Sequence, residues 1–227
     1  PDYHKFMKSI ELEIGGSRID KIYDKIIPTL CKIYGLESSQ VPFYFNREGL
    51  YLPQLQYHQL KLIVTFGDLF DENLRFSADL YELKTDKPHS AMEHHITCVQ
   101  FCGEDSANGS NAMKLKLDYN HVVTHLLIYP ENTQIETMKL TFQTDDKKAE
   151  LDLSTAVKYD DVYVYPFVKS LDFKDIAVGG INFSMVDYPI MHLSLKNGLD
   201  DDKIHVYGIY EQGLRCMVGM AGLMYSK

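Results

Sequence analysis

The sequence predicts an all-β sandwich, and two observations support that prediction. Apolar and polar residues alternate over short stretches, as in Ile10–Ile14, Leu60–Phe66 and Met113–Leu117, and this period of two is typical of strands with one buried face. Clusters of Gly, Pro, Asn and Asp separate such stretches at intervals typical of β-sandwiches. At 227 residues with 45% apolar content, the chain is long enough to bury one large core or two modest ones.

Further strands are predicted along the rest of the chain. The ranges are about 43–46, 74–83, 92–102, 122–129, 135–142, 161–168, 190–195, 203–210 and 214–225. The dipeptides Asn108-Gly109 and Asn197-Gly198 favour positive φ and therefore predict tight turns.

The C-terminal stretch predicts a paired strand rather than a tail. Apolar residues continue as far as Tyr225, whereas a free terminus is usually polar and frayed. We therefore expect Leu214–Tyr225 to pair within a sheet, with Met220, Leu223, Met224 and Tyr225 buried.

One stretch departs from the strand pattern. Between Arg18 and Tyr34 the apolar residues recur with helical spacing. Ser17 and Asp20 stand where an N-terminal capping pair would, and Gly35 follows the last turn. Because Pro28 would remove a backbone donor and clash with the preceding turn, we predict a short helical segment near 18–34 that is divided into two pieces.

Charge and cysteine content exclude several classes of protein. The net charge of −9 argues against a surface that grips nucleic acid, which needs clustered Lys and Arg. No apolar run reaches the ~18 residues that a membrane span requires. The cysteines Cys31, Cys98, Cys102 and Cys216 are too sparse for a disulfide framework. We therefore expect no direct nucleic-acid binding and no membrane span.

One group of possible metal ligands is excluded by strand geometry. His94, His95, Cys98 and Cys102 lie close together in sequence, but residues four apart in a strand are separated by ~13 Å. A zinc ion needs ligand distances of ~2.0 to 2.3 Å. We therefore predict that these residues do not hold a metal.

Other catalytic and ligand-binding patterns are incomplete. His121 and His125 have the spacing of a helical metal pair, but Val122 stands where a zincin has its Glu. The glycines of Gly219–Gly222 lack the lysine of a phosphate-binding loop, and the chain has no nucleophile elbow. The prediction is a protein without catalytic, cofactor-binding or metal-binding residues, and therefore not an enzyme.

Several motifs resemble those of one protein family, and they occur in that family's order. They are K-S-I-E-L-E-I-G-G-S-R-I-D-K at 8–21, V-P-F-Y-F-N-R at 41–47, L-P-Q-L-Q-Y-H at 52–58, V-Y-V-Y-P-F at 162–167, G-I-N-F-S-M-V-D at 180–187 and V-Y-G-I-Y-E-Q-G-L-R with G-M-A-G-L-M-Y-S at the C-terminus. With these motifs the chain resembles the major capsid proteins of nucleocytoplasmic large double-stranded DNA viruses.

The resemblance implies a jelly-roll β-sandwich that belongs to a double jelly-roll protein. Residues 1–70 would form the C-terminal part of the first jelly roll, and residues 71–227 would form the second one. Two complete jelly rolls usually need well over ~300 residues, since each strand of ~5 to 6 residues also needs a connection. An N-terminal part of the first jelly roll is therefore expected to be missing from this chain.

The resemblance also implies a structural function. The protein would form the icosahedral shell of a large DNA virus as trimeric pseudo-hexagonal capsomers, located in the virion capsid and assembled in the host cytoplasm. Its partners would be further copies of itself, neighbouring capsomers and minor capsid proteins. Two alternatives stay open: a minor capsid protein, because long outer insertions are not evident, and a jelly-roll carbohydrate-binding or attachment module, which would need an exposed aromatic platform.

Overall fold

The structure is a computed structural model, and it describes residues 3–69, 75–79, 92–144, 147–168, 179–198 and 202–225. Within this part of the chain, fourteen strands form three antiparallel sheets. One sheet lies in the N-terminal region, and the other two form the β-sandwich that follows it.

The N-terminal region is built on a three-stranded sheet. Strand β1 (Met7–Ile14) lies between β2 (Ser17–Tyr23) and β3 (Leu60–Phe66). The turn between β1 and β2 consists of Gly15 and Gly16, with φ angles of 58° and 81°. Glycine adopts this left-handed conformation without the steric cost that other residues meet.

Short helices connect β2 to β3. A 3-10 turn at Asp24–Ile26 leads into helix α1 (Ile27–Tyr34), helix α2 (Phe45–Glu48) follows, and a second 3-10 turn spans Leu52–Leu55. In the described residues, none of these helices is long and apolar enough to cross a membrane.

The larger sheet of the sandwich is organised around one long strand. Strand β13 (Lys203–Met217) pairs along one edge with β4 (Met92–Ser106). Its other edge pairs with β6 (Val122–Pro130) and, nearer the C-terminus, with β14 (Met220–Leu223). The sheet continues from β6 to β10 (Val162–Pro166) and β9 (Val157–Tyr159), and β11 (Ile181–Asn182) also pairs with β6.

The smaller sheet has four strands. In spatial order they are β5 (Ala112–Lys116), β12 (Asp187–Leu195), β7 (Ile135–Thr144) and β8 (Lys147–Asp152). Alternate residues of β5 and β12 are buried, as expected for strands with one face on the core. The predicted turn at Asn108-Gly109 is confirmed by φ angles of 48° and 71°, whereas Gly198 has no positive φ.

The predicted helical segment near 18–34 is wrong in its first half. Residues 17–23 form strand β2, and only Ile27–Tyr34 is α-helical. Asp20 is buried and does not cap a helix. Pro28 occupies the first turn of α1, where its missing N–H would have no partner in any case. Gly35 ends the helix in the left-handed conformation, as the sequence predicts.

Several of the predicted strands have other bounds in the structure or do not form. No strand forms at 43–46, because residues 43 and 44 lead into helix α2, which begins at Phe45. The ranges 203–210 and 214–225 are not two separate strands, because β13 runs from Lys203 to Met217 and a turn at Val218 and Gly219 precedes β14. The range 74–83 lies mainly outside the described residues, and the part at 75–79 contains no strand.

The C-terminal prediction is right about pairing and wrong about burial. Strand β14 pairs with β13, which confirms that this stretch belongs to a sheet. Met220 and Tyr225 are nevertheless 48% and 57% exposed. Leu223 and Met224 are only partly buried, so Ala221 is the buried residue of this strand.

Candidate assembly surfaces

Three motifs that are distant in sequence meet at one junction. The ring of His58 lies against Gly15, where an added Cβ would stand 2.3 Å from Nδ1 of His58. The same Nδ1 lies 3.1 Å from both the amide nitrogen and the carbonyl oxygen of Ala221. The amide of Tyr57 donates to the carbonyl of Gly219 over 2.8 Å. The junction therefore joins the β1–β2 turn to the C-terminal hairpin.

A second contact joins the N-terminal sheet to the sandwich. The buried carboxylate of Asp20 accepts a hydrogen bond of 2.8 Å from the amide of Val99 in β4. Cys98 donates from Sγ to the carbonyl of Ile19 over 3.5 Å. A carboxylate at this position satisfies a backbone donor on the edge of β4 that does not pair with β13.

The tip of the C-terminal hairpin carries exposed apolar side chains. We define the hairpin patch as Tyr57, Met92, Met217, Val218 and Met220, all of which are exposed. The residues are neighbours, because Met217 pairs with Met220, Met92 pairs with Cys216, and the ring of Tyr57 lies over Gly219. Contiguous exposed apolar surface of this kind often marks a protein interface.

Val218 adds backbone strain to this patch. Its φ angle is 54° and its side chain is 75% exposed. A β-branched residue is an outlier in this left-handed region, and such strain is concentrated at sites where a conformation is functionally required. The hairpin thus holds an apolar side chain outward at a local energetic cost.

Strand β3 exposes a second apolar surface. The side chains of Leu60, Leu62, Ile63 and Phe66, which we call the β3 surface, are all exposed. The sequence pattern predicted a half-buried strand, and this prediction is wrong because both faces of β3 are largely uncovered. Among the described residues β3 pairs only with β1, so it is an edge strand, the type most prone to pairing with another chain.

A charged cluster lies where the sandwich meets the 3-10 turn after β2. Nε2 of His205 lies 2.9 Å from a carboxylate oxygen of Glu131, and Lys203 donates to Glu104 over 2.7 Å. This hydrogen bond from Lys203 is the main cause that lowers the pKa of Glu104. Burial raises the pKa of the Asp24 carboxyl, against the opposing effects of Lys25 and His205.

The residues considered as metal ligands make other contacts. Nε2 of His95 lies 3.4 Å from a carboxylate oxygen of Glu211, and Cys102 donates from Sγ to the carbonyl of Lys116 over 3.3 Å. His94 pairs with Leu214 in the sheet. No group of three possible metal ligands converges in the part of the chain that the structure describes.

The two histidines of the second candidate pair, His121 and His125, make different contacts. The ring of His121 stacks on Tyr210, with centroids 5.1 Å apart. His125 is buried in β6, with Nδ1 2.9 Å from Oγ1 of Thr124. All four cysteines are free.

Comparisons with known proteins point to one class of protein. A scan against models of protein families finds no match. The chain is 26% identical to the major capsid protein of Pyramimonas orientalis virus over 309 residues, which cover 98% of this chain and 77% of that protein. It is 30% identical to capsid protein 1 of Acanthamoeba polyphaga mimivirus over 183 residues, which cover 53% of this chain and 31% of that protein.

Solved structures show the same fold. The chain matches PBCV-1 VP54, fitted into a reconstruction of the virophage Sputnik, with a TM-score of 0.78 and 19% identity. It matches a chain of the quasi-atomic PBCV-1 virus capsid with a TM-score of 0.72 and 18% identity. Each match covers 100% of this chain and 85% of the other.

The resemblance to viral major capsid proteins is confirmed. The jelly-roll fold is confirmed by the two structural matches. Both curated relatives are named as capsid proteins, which supports the prediction of a structural rather than an enzymatic role. The alignment with the Pyramimonas virus protein extends over 309 residues, which is more than this chain contains, so that relative carries segments without a counterpart here.

Sequence reasoning missed the two exposed surfaces. Alternation in residues 60–66 indicated a strand but did not indicate what covers it. The hairpin patch depends on the turn at Val218 and Gly219, where the sequence pattern predicted a continuous strand.

Proposed function

We propose that this protein is a shell subunit that assembles into homotrimeric, pseudo-hexagonal capsomers of an icosahedral virion. The capsomers would contact neighbouring capsomers and minor capsid proteins, and assembly would take place in the host cytoplasm. The observation that carries the proposal is the presence of two exposed apolar surfaces, the hairpin patch and the β3 surface, on a jelly-roll protein that already has a closed core.

The energetics of the two surfaces favour association. Burial of apolar area contributes about 25 cal/mol per Å², and obligate interfaces are large and apolar at their centres. The chain has a net charge of −9, so copies repel one another at long range. Apolar contacts at short range would supply attraction between copies that offsets this repulsion.

We also propose that residues 1–70 and 71–227 are two structural units. The three-stranded sheet lies entirely in the first range, and both sheets of the sandwich lie in the second. The contacts of Asp20 with β4 and of His58 with β14 would fix one unit against the other.

Sedimentation equilibrium tests the assembly proposal. Wild-type protein is expected to sediment as a trimer, whereas the double variant Leu62→Lys/Val218→Lys is expected to sediment as a monomer with an unchanged circular dichroism spectrum. The matched control is Thr137→Lys, which adds a lysine at an exposed position of β7 and should leave the trimer intact. A wild-type monomer at about 100 μM, well above the Kd of an obligate assembly, would contradict the proposal.

A minor capsid component is the second candidate. It is favoured by the segments of the Pyramimonas virus relative that have no counterpart in this chain. Quantitative mass spectrometry of purified virions separates the two: the most abundant shell protein is a major component, and a protein at a small fraction of that abundance is a minor one.

A further inference from the structure

A cleft of about 200 Å³ opens where β2 meets the sandwich. Nine residues line it: Arg18, Lys21, Tyr23, Val99, Gln100, Phe101, Asn120, His121 and Tyr210. Two of these side chains are cations, several are aromatic or amide-bearing, and none is acidic. The lining comes from β2, β4, β13 and the connection into β6, so it exists only in the folded protein.

Both cations form long ion pairs with one carboxylate, which an incoming anion would have to displace. Oε2 of Glu11 lies 4.0 Å from Nη1 of Arg18 and 3.7 Å from Nζ of Lys21. Both separations exceed hydrogen-bond distance. The side chain of Arg18 is about half exposed, and a guanidinium can bind a carboxylate with two parallel hydrogen bonds.

The walls of the cleft are aromatic and fixed in position. The rings of Tyr23 and Phe101 have centroids 5.0 Å apart. The ring of His121 stacks on Tyr210 with an interplanar angle of 15°. Tyr210 is buried, so the partly exposed rings of Tyr23, Phe101 and His121 are the ones that an incoming group can contact, and aromatic rings pack favourably against another ring.

The backbone of His121 is strained and held on both sides. Its φ angle is 68°, its amide donates to Oγ of Ser184 over 3.1 Å, and its carbonyl accepts from the amide of Phe183 over 3.0 Å. Strained backbone that the surrounding structure fixes in this way is concentrated at ligand-binding positions. Because the backbone is held in this way and the ring stacks on Tyr210, His121 needs little further ordering when a ligand binds, which lowers the entropic cost of binding.

We propose that this cleft binds a carboxylate carried on an apolar or aromatic body. The carboxylate contacts Arg18 and Lys21, and the body lies against the aromatic walls. Ligand pockets for drug-sized molecules start at roughly 300 Å³, so this cleft accommodates a group the size of one amino-acid residue. That group is either a free small carboxylate or the C-terminal residue of another protein chain. The inference is independent of the proposed trimer.

Isothermal titration calorimetry with matched probes tests the chemistry. N-acetyl-phenylalanine is expected to bind with a Kd on the order of 1 mM. Its amide, which has the same body without the charge, and acetate, which has the charge without the body, are each expected to bind at least tenfold more weakly. Equal binding of the acid and the amide would overturn the proposal, as would a lack of binding by the acid at about 20 mM.

Two variants locate the binding site, and one peptide identifies the source of the carboxylate. Arg18→Gln is expected to weaken binding of N-acetyl-phenylalanine at least fivefold, while Arg215→Gln, at an exposed arginine paired with Glu93, leaves it unchanged. An unchanged affinity in Arg18→Gln overturns the proposed site.

A Gly-Ser-Gly-Ser-Phe peptide with a free C-terminus distinguishes the two sources of the carboxylate. Binding of this peptide as tight as that of the acid supports a chain terminus as ligand. Failure of the peptide to bind supports a free small carboxylate.

Discussion

Strands β13 and β3 have similar apolar sequences but opposite environments. Residues 204–210 of β13 are buried on both faces, and both of its edges are paired. Strand β3 is exposed on both faces and pairs on one edge with β1. The difference shows that apolar alternation specifies a strand, whereas its burial depends on whether other parts of the same chain cover it. Under the proposed assembly, another copy would cover β3.

The largest expected change in the free energy of unfolding comes from replacing an isoleucine in each of the two strands. Ile209 in β13 is 0% exposed, and Ile63 in β3 is 43% exposed. Ile209→Ala is expected to lower the free energy of unfolding by about 2 to 5 kcal/mol, because it leaves a cavity in the core. Ile63→Ala is expected to change it by less than about 0.5 kcal/mol.

Urea denaturation of the dissociated protein measures both values. If Ile63→Ala costs as much as Ile209→Ala under dissociating conditions, then β3 is covered by its own chain and the comparison fails.

A smaller effect is expected at the junction that holds the N-terminal sheet to the hairpin. Gly15→Ala places a Cβ 2.3 Å from the ring of His58, whereas a Cβ at Gly16 meets nothing within 4 Å. Both glycines have positive φ, so alanine at either position introduces the same type of backbone strain. Gly15→Ala should be less stable than Gly16→Ala by about 1 to 3 kcal/mol because of the added overlap.

Thermal unfolding of the two glycine variants makes this comparison. Equal melting temperatures would mean that His58 moves away freely and that the junction does not join the two regions.

The smallest expected effect is a pH-dependent change in Tm that comes from Asp24. Because burial raises the pKa of Asp24, the folded state binds this proton more tightly than the unfolded state does. The contribution of protonated Asp24 to the stability of the fold is complete below the unfolded pKa of ~3.9. This contribution is lost as pH rises through the raised pKa of the folded state. Asp24→Asn should therefore increase Tm by about 1 to 2 °C at pH 7 and leave it unchanged near pH 3.

The control for this prediction is Asp187→Asn, which alters an exposed carboxyl on β12. A Tm for Asp24→Asn that falls at pH 7 would show that the charged form of Asp24 stabilises the fold.

Local sequence signals predicted much of the fold. The strand predicted from the alternation in Ile10–Ile14, the Asn108-Gly109 turn and the helix end at Gly35 were all correct, since each depends on interactions within a few residues. Strand β2 was missed because the spacing of Ile19, Ile22 and Tyr23 also fits a helix. Its pairing with β1 is a tertiary interaction that overrides the local pattern.

The candidate surfaces and the cleft could be predicted much less well. The exposure of Met220 follows from the hairpin register, in which it pairs with Met217 beside the turn. The cleft brings Arg18 together with Phe101 and Tyr210 from distant strands. No spacing in the sequence indicates contacts of that kind, because they depend on how the N-terminal sheet packs against the sandwich.

Hydrogen exchange measured by mass spectrometry at high and low protein concentration tests directly whether assembly buries the two apolar surfaces. If another copy covers these surfaces, peptides covering Leu60–Phe66 and Met217–Met220 are expected to exchange more slowly at high concentration. Peptides from residues 204–210 of β13 should exchange at the same slow rate under both conditions. A trimer that forms without any added protection of β3 or the hairpin would contradict the claim that these apolar surfaces drive assembly.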